Sequence, residues 1–329
     1  MSFFAILLAL VLEQAHPLNP VNAIYTAVKR WVAWVARTFD AGVRHQAWIT
    51  WGITVMGPAL LAMLVHWALE WSLGWLLAVV WNVALLYVTL GFRQFSHHFT
   101  AIREALEEGD EDKARTLLAD WQQVQVGQIP RSEIVRHVIE YSMIAAHRHV
   151  FGVFFWYALM SIIGLGPLGA VVYRLTALAQ RRWSAPSADG VWVSEATQSV
   201  ALRAWVAMDW LPSRMTALGF AIVGSFEDAM DGWRNHAQSF PQDNDGVILA
   251  ATAGAINIRL GGAPLQTPST DDGQEASESG EAQHTGSGTS TPGRVPDIAH
   301  FAQVVGLVWR SVIMWLVLVA LLTMANLVG

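Results

Sequence analysis

The chain has 329 residues, of which 53% are AVILMFWYC and 14% are charged, with 17 tryptophans and no cysteine. Soluble domains carry about 25% charged residues, so this chain has too few to cover an ordinary soluble surface; a soluble cytosolic enzyme is disfavoured, and disorder is excluded for most of the length. Without cysteine there are no disulfides, zinc–thiolate sites or cysteine nucleophiles, and a net charge of −6 with arginine far outnumbering lysine carries no nucleic-acid footprint. The expected class is all-α, a polytopic helical membrane protein with a cytoplasmic helical region and the lipid bilayer as its first partner.

In chain order, Met1–Leu12 is apolar but too short to span. It lacks a basic n-region and a small-residue cleavage site, so it reads as a membrane-dipping anchor rather than a signal peptide. A hydrocarbon core of about 30 Å needs roughly 20 apolar helical residues. Residues 47–67, kinked at Pro58, and 71–92, with Asn82 as the most polar side chain, both meet that length. Only Ala68, Leu69 and Glu70 separate them, which predicts a tight hairpin. Trp48, Trp51, Trp67 and Trp71 fall near the interfaces where indoles prefer to lie. Arginine and lysine flank the hairpin on both sides and are missing from its turn, so both flanks read as cytoplasmic.

Residues 93–149 read as a cytoplasmic helical unit, broken at Gly109-Asp110 and again before Ser132, the expected N-cap of a third helix. The acids Glu107, Glu108, Asp110, Glu111 and Asp112 surround the first break and read as solvated caps rather than a metal cluster. Residues 150–173 are long enough to cross, but Gly164, Gly166, Pro167 and Gly169 interrupt them, and a simple crossing would put Arg174, Arg181 and Arg182 on the wrong side. A re-entrant segment is the expectation. Further on, Asp209 is expected to cap a helix begun by Pro212, with Arg214 as its partner. The small residues of 251–262 favour close helix packing. From Ala263 to Pro296 the composition turns to Ser, Thr, Gly and Pro with five acids and one base, the mark of a disordered tether. Ser311–Val328 is the third clear span. The domains are thus 1–264, a linker at 265–296, and a C-terminal transmembrane helix within 297–329.

No phosphate loop, HExxH, GxSxG or EF-hand spacing occurs. The strongest constellation is a helical stripe: Glu133, His137, Glu140, Ile144 and His147 share one face, flanked by Arg136 and Arg148. Arg93 and His97 end the second span on the same side. Ionisable groups at a membrane boundary usually face a bundle interior or an aqueous cavity, so the candidate ligand-binding residues are Arg93, His97, Arg136, His137, Glu140, His147, Arg148, Asp209 and Arg214. They suit an anionic small ligand; interfacial anchoring by snorkelling arginines explains them as well. His147 and His149 point to different helix faces, so no metal site is assigned. No catalytic residue and no cofactor are assigned from the residues themselves.

Several motifs, in order along the chain, resemble one family. They are FFAILLALVLEQ at the start, Gly109-Asp110, Ala114-Arg115, Trp121, Ile134-x-Arg136 with Glu140, Gly152 with Phe155-Trp156, Gly166-Pro167, Tyr173, Leu211-Pro212-x-Arg214, Trp233-Arg234 and ATAGAINIRLGG. This pattern is similar to the CobD/CbiB family of adenosylcobinamide-phosphate synthases, and to that family's relative AmpE, an inner-membrane protein named for its link to β-lactamase regulation. The synthases' GRDT-like motif is replaced here by Gln122 to Gly127, and their AEN…DG segment by Ala146-His147-Arg148…Phe151-Gly152. Their paired aspartates ahead of NxLPAR are also lost, and Asp209-Trp210-Leu211-Pro212-Ser213-Arg214 looks closer to AmpE. The resemblance therefore implies a multi-pass bacterial inner-membrane protein with an AmpE-like regulatory or ligand-binding role, with a membrane-protein partner. The alternative it implies is the synthase itself, which joins adenosylcobyric acid to an aminopropanol derivative and uses ATP and Mg²⁺, so that its ligand is a corrinoid. A transporter, suggested by the broken segment at 164–169, ranks last because no second broken helix matches it.

Overall fold

The computed structural model describes residues 2–16, 22–122, 126–184, 192–265 and 290–328, without the side chains of 2, 92–95 and 326–328. Most of the linker and the side chain of Arg93 therefore lie outside the described residues. Helices follow one another as α1 (Ser2–Ala15), α2 (Ala23–Phe39), α3 (Arg44–Leu73), α4 (Trp75–Thr89), α5 (Phe92–Glu107), α6 (Glu111–Gln122) and α7 (Arg131–Ala146). A π-helical turn, His147–Phe151, leads into α8 (Gly152–Ile162), α9 (Leu168–Ser184), α10 (Glu195–Val223), α11 (Phe226–His236), α12 (Asp243–Ile256) and α13 (Ala299–Val328). The described residues form no β-strand, only isolated bridges such as Ile258–Arg294.

The chain divides into two compact units. The first contains 1–94, 147–213 and 313–329; the second contains 95–146 and 214–312.

In the first unit α3 and α9 pack through Val55, Ala59, Ala62, Val171, Val172 and Leu175. A second core joins Val32 and Ala36 of α2 to Ala179, Trp183 and Ala201. Asp40, just past α2, accepts hydrogen bonds from Ser194 N, Ser194 Oγ and Thr197 Oγ1, tying the end of α2 to the start of α10. Among the described residues two helices are long and apolar enough to cross a membrane, Arg44–Leu73 and Ala299–Ala325. Residues 71–92 do not form the expected second span: Trp71 to Leu73 belong to α3, and α4 has 15 residues, about 22 Å of helix at 1.5 Å per residue. The turn is likewise displaced from 68–70. It falls at Gly74, whose φ of 89° is left-handed, because Ala68, Leu69 and Glu70 are good helix formers and continue α3. Residues 150–173 are two helices in contact, α8 and α9, joined through Gly164-Leu165-Gly166-Pro167.

Prolines inside helices normally end them, because the residue lacks an N–H and leaves the carbonyl four residues back unpaired. Here both freed carbonyls are taken by indoles. Trp31 Nε1 donates to Thr54 O at 3.1 Å, four residues before Pro58. Trp156 Nε1 donates to Met208 O, also at 3.1 Å, four residues before Pro212. That is why α10 runs through Pro212, and why the expectation of a helix beginning there with Asp209 as its cap is wrong.

In the second unit Asp110 Oδ1 accepts from Lys113 N and caps α6, while Lys113 pairs with Glu108 and Arg115 with Glu111 and Asp112. The acids around Gly109 thus serve helix ends and ion pairs. α7 begins at Arg131, so Ser132 lies within the first turn and is not the N-cap; Pro130 O instead accepts from Glu133 N and Ile134 N. α11 and α12 approach so closely that a Cβ on Gly254 would meet the Asp228 carbonyl and one on Gly232 the Ala250 carbonyl. Ala217, Val247 and Ala251 form a core beside them.

Candidate functional site

The stripe on α7 forms one polar group in the second unit, centred on Arg136. This residue is 3% exposed. Its guanidinium donates to Glu133 Oε2 at 2.6 and 2.9 Å, to both Glu140 oxygens at 3.0 and 3.1 Å, and to the Ala263 carbonyl at 2.8 Å. The Gly261 N–H donates to Glu140 Oε1 at 2.6 Å. Burial works against the charge on Arg136, but Glu140 and Glu133 outweigh it and raise its pKa above the ordinary arginine value.

His137 lies against the same group. Arg136 Nη2 stands 2.9 Å from His137 Nε2; since arginine only donates, Nε2 accepts and the ring proton belongs on Nδ1, 3.7 Å from Glu140 Oε2. Burial, then Arg136, lowers the His137 pKa to about 3, so the ring is neutral. Burial pushes the Glu140 carboxyl above the usual glutamate value against the pull of Arg136 and the Gly261 N–H. A cavity of about 320 Å³ opens beside it, lined among others by Gln122, Glu140, Tyr141, Asp245 and Gly262. A carboxyl with a raised pKa on a cavity wall suits proton transfer.

The first unit holds a second group. His147 Nε2 and Tyr173 Oη both reach Asp209 Oδ1, at 2.8 and 2.7 Å, and His147 and Asp209 are wholly buried. Burial pushes Asp209 up, but attraction to His147 and the hydrogen bonds from His147 and Tyr173 hold its carboxyl below the usual range. His147 opens the π-helical turn that follows α7. Gly152 backs the group: a Cβ there would overlap the Tyr173 ring. Arg148 lies over the Trp205 ring, 5.5 Å from its centroid, and its carbonyl accepts from Arg174.

The remaining candidates make other contacts within their units. His97 is exposed, with its ring against His98, which stacks on Trp121. Arg214 donates to Asn244 Oδ1 at 2.9 Å, and Asp209 is bonded within the first unit. Glu133, Tyr173 and the 261–263 backbone were not among the sequence candidates. Glu133 and Tyr173 were visible, one in the stripe and one among the family-like residues; the backbone groups carry no side-chain signal.

A protein-held Mg²⁺ does not fit the described donors. No three His, Cys, Asp or Glu side chains among the described residues are arranged to hold a metal. Glu140 is engaged through both oxygens by Arg136 and Gly261, whereas Asp209 is bonded by His147 and Tyr173 through Oδ1 alone.

Residues 2–184 match the family model described as CobD/Cbib protein. A protein of Stutzerimonas stutzeri strain A1501, called cobalamin biosynthesis protein CobD, is 26% identical over 92% of this chain and 90% of its own length. A protein of the same description from Chromobacterium violaceum is 30% identical over 64% of this chain and 66% of its own. No solved structure matches.

Proposed function

We propose that this chain, which belongs to the CobD/CbiB family, works in cobalamin biosynthesis at the amide-forming step, joining a corrinoid carboxyl to the amine of an aminopropanol derivative. The observation that carries this is the similarity to a cobalamin biosynthesis protein along 92% of the chain, which takes in both polar groups. Glu140 is the residue suited to accept the amine proton: its raised pKa matches the task and it faces a cavity. Arg136 fixes the carboxyl in place. ATP supplies the activation of the carboxyl; no step is assigned to Mg²⁺. The two long apolar helices support a location in the bacterial inner membrane, and the pairing of α8 with α9 supports a re-entrant course for 150–173.

The second reading is an AmpE-like regulatory protein. It is favoured by the engagement of both Glu140 oxygens by Arg136 and the Gly261 N–H, which leaves that carboxylate no open oxygen for a metal ion. Expression in a bacterium lacking its own synthase separates the two. Growth that depends on cobalamin made from cobyric acid, lost in Glu140→Gln at equal membrane abundance, supports the enzyme. Failure of the wild-type chain to rescue, despite confirmed membrane expression, favours the regulator.

A further inference from the structure

A separate cavity in the first unit, about 290 Å³, lies among α3, α4, α8 and the end of α13. Its polar wall includes His66, Glu70, Asn82, Ser161 and Thr323, and its apolar wall includes Ala78, Ala158 and Val319. His66 and Asn82 are 9% and 7% exposed, yet His66 Nδ1 and Asn82 Oδ1 have no hydrogen-bond partner among the described residues. Leaving a buried polar atom unsatisfied costs about 1–3 kcal/mol, and two such atoms line one cavity. A ligand that donates hydrogen bonds would relieve both.

The sign of the charge follows from the lining. Glu70 brings a carboxylate, half-exposed, with Oε2 3.7 Å from His66 Nε2. No lysine or arginine lines the cavity among the described residues. With the ring proton on Nε2, facing Glu70, His66 Nδ1 presents a lone pair, and Asn82 Oδ1 is a second unpartnered acceptor on a residue of the same lining. The site is also built. Gly166 has φ of 55°, and any Cβ there would press to 2.8 Å from the His66 ring. Trp67 Nε1 donates to the Gly164 carbonyl, holding the glycine turn against α3.

We propose that this cavity binds a short alkylammonium cation, its ammonium group donating to His66 Nδ1 and Asn82 Oδ1 near Glu70 and its carbon chain lying against the apolar wall. Polar side chains facing a cavity between apolar helices usually mark a ligand or ion site. The proposal is independent of the role given to Glu140.

The test is calorimetric titration of the full-length chain in lipid nanodiscs with n-butylammonium, and with n-butanol as the uncharged match. Saturable binding of the amine alone is expected. Glu70→Gln should weaken it at least tenfold and Asn82→Asp should tighten it, with Asn82→Leu abolishing it. Circular dichroism separates a loss of binding in the leucine variant from a loss of fold; if that variant unfolds, the Glu70 and aspartate variants decide. The proposal is overturned if the wild-type chain takes up no butylammonium, if butanol binds equally, or if Glu70→Gln and Asn82→Asp leave the affinity unchanged.

Discussion

Arg136 grips Glu140 through both carboxylate oxygens, 3.0 and 3.1 Å from a single guanidinium nitrogen, while its other nitrogens serve Glu133 and the Ala263 carbonyl. Arg136→Ala leaves Glu140 buried without its main partner. Breaking a buried pair from one side costs about 3–5 kcal/mol, so a loss of that order in denaturant unfolding is expected. Arg136→Lys should recover only part, because an ammonium lacks the planar fork that meets Glu133 and Glu140 together. A loss under about 1 kcal/mol for Arg136→Ala would mean the pair is solvated, as exposed pairs are.

The same group makes stability depend on pH. His137 has a folded pKa of about 3 against an ordinary 6.5, so below pH 6.5 the unfolded chain takes up a proton that the folded chain refuses. The stability present above pH 6.5 is lost as the pH falls towards 3. Glu140 acts in the opposite sense: with its pKa raised above 4.5, acidification through the range just above that value favours the folded state. Unfolding measured from pH 8 to 4 should therefore show His137→Gln with a flatter acid loss than wild type, and Glu140→Gln with a steeper one.

Trp156 and Pro212 should be coupled. Trp156→Phe removes the donor to the Met208 carbonyl, a bond worth about 0.5–1.5 kcal/mol. In Pro212→Ala the residue at 212 regains an N–H for that carbonyl, so losing the indole should cost less. A double-mutant cycle should give a coupling of about 0.5–1 kcal/mol; additive effects would mean the indole and the proline act separately.

Gly152→Ala should displace the Tyr173 ring and break its 2.7 Å hydrogen bond to Asp209. Overpacking of this kind costs about 1–3 kcal/mol. Tyr173→Phe alone should cost about 1.5–3 kcal/mol, since the acceptor is charged. Added to Gly152→Ala, it should cost little more. Equal costs in both backgrounds would show that the ring keeps its bond.

Helical class, the two long apolar helices and the Glu133–His137–Glu140 stripe were legible because each rests on local composition or a 3.6-residue period. Arg136 read as a flank because periodicity marks faces, whereas its role depends on the carbonyl of Ala263, distant in sequence. His147 read as part of the stripe because its partners, Asp209 and Tyr173, are distant in sequence and leave no mark in a periodic pattern. Asp209 read as a cap because Pro212 looked like a helix start; only the distant indole of Trp156 lets the helix continue. The roles of Trp31 and Trp156, whose indoles replace a missing backbone N–H, left no mark in the sequence because each acts on a helix distant along the chain.

The most direct measurement is to incubate membranes containing the full-length chain with adenosylcobyric acid, the aminopropanol derivative, ATP and Mg²⁺, and to follow the amide product by mass spectrometry. The proposed function predicts product in the wild-type chain and at least a hundredfold slower formation in Glu140→Gln, in line with the loss of a general base. No product from folded wild-type chain, or equal rates in Glu140→Gln, would contradict it.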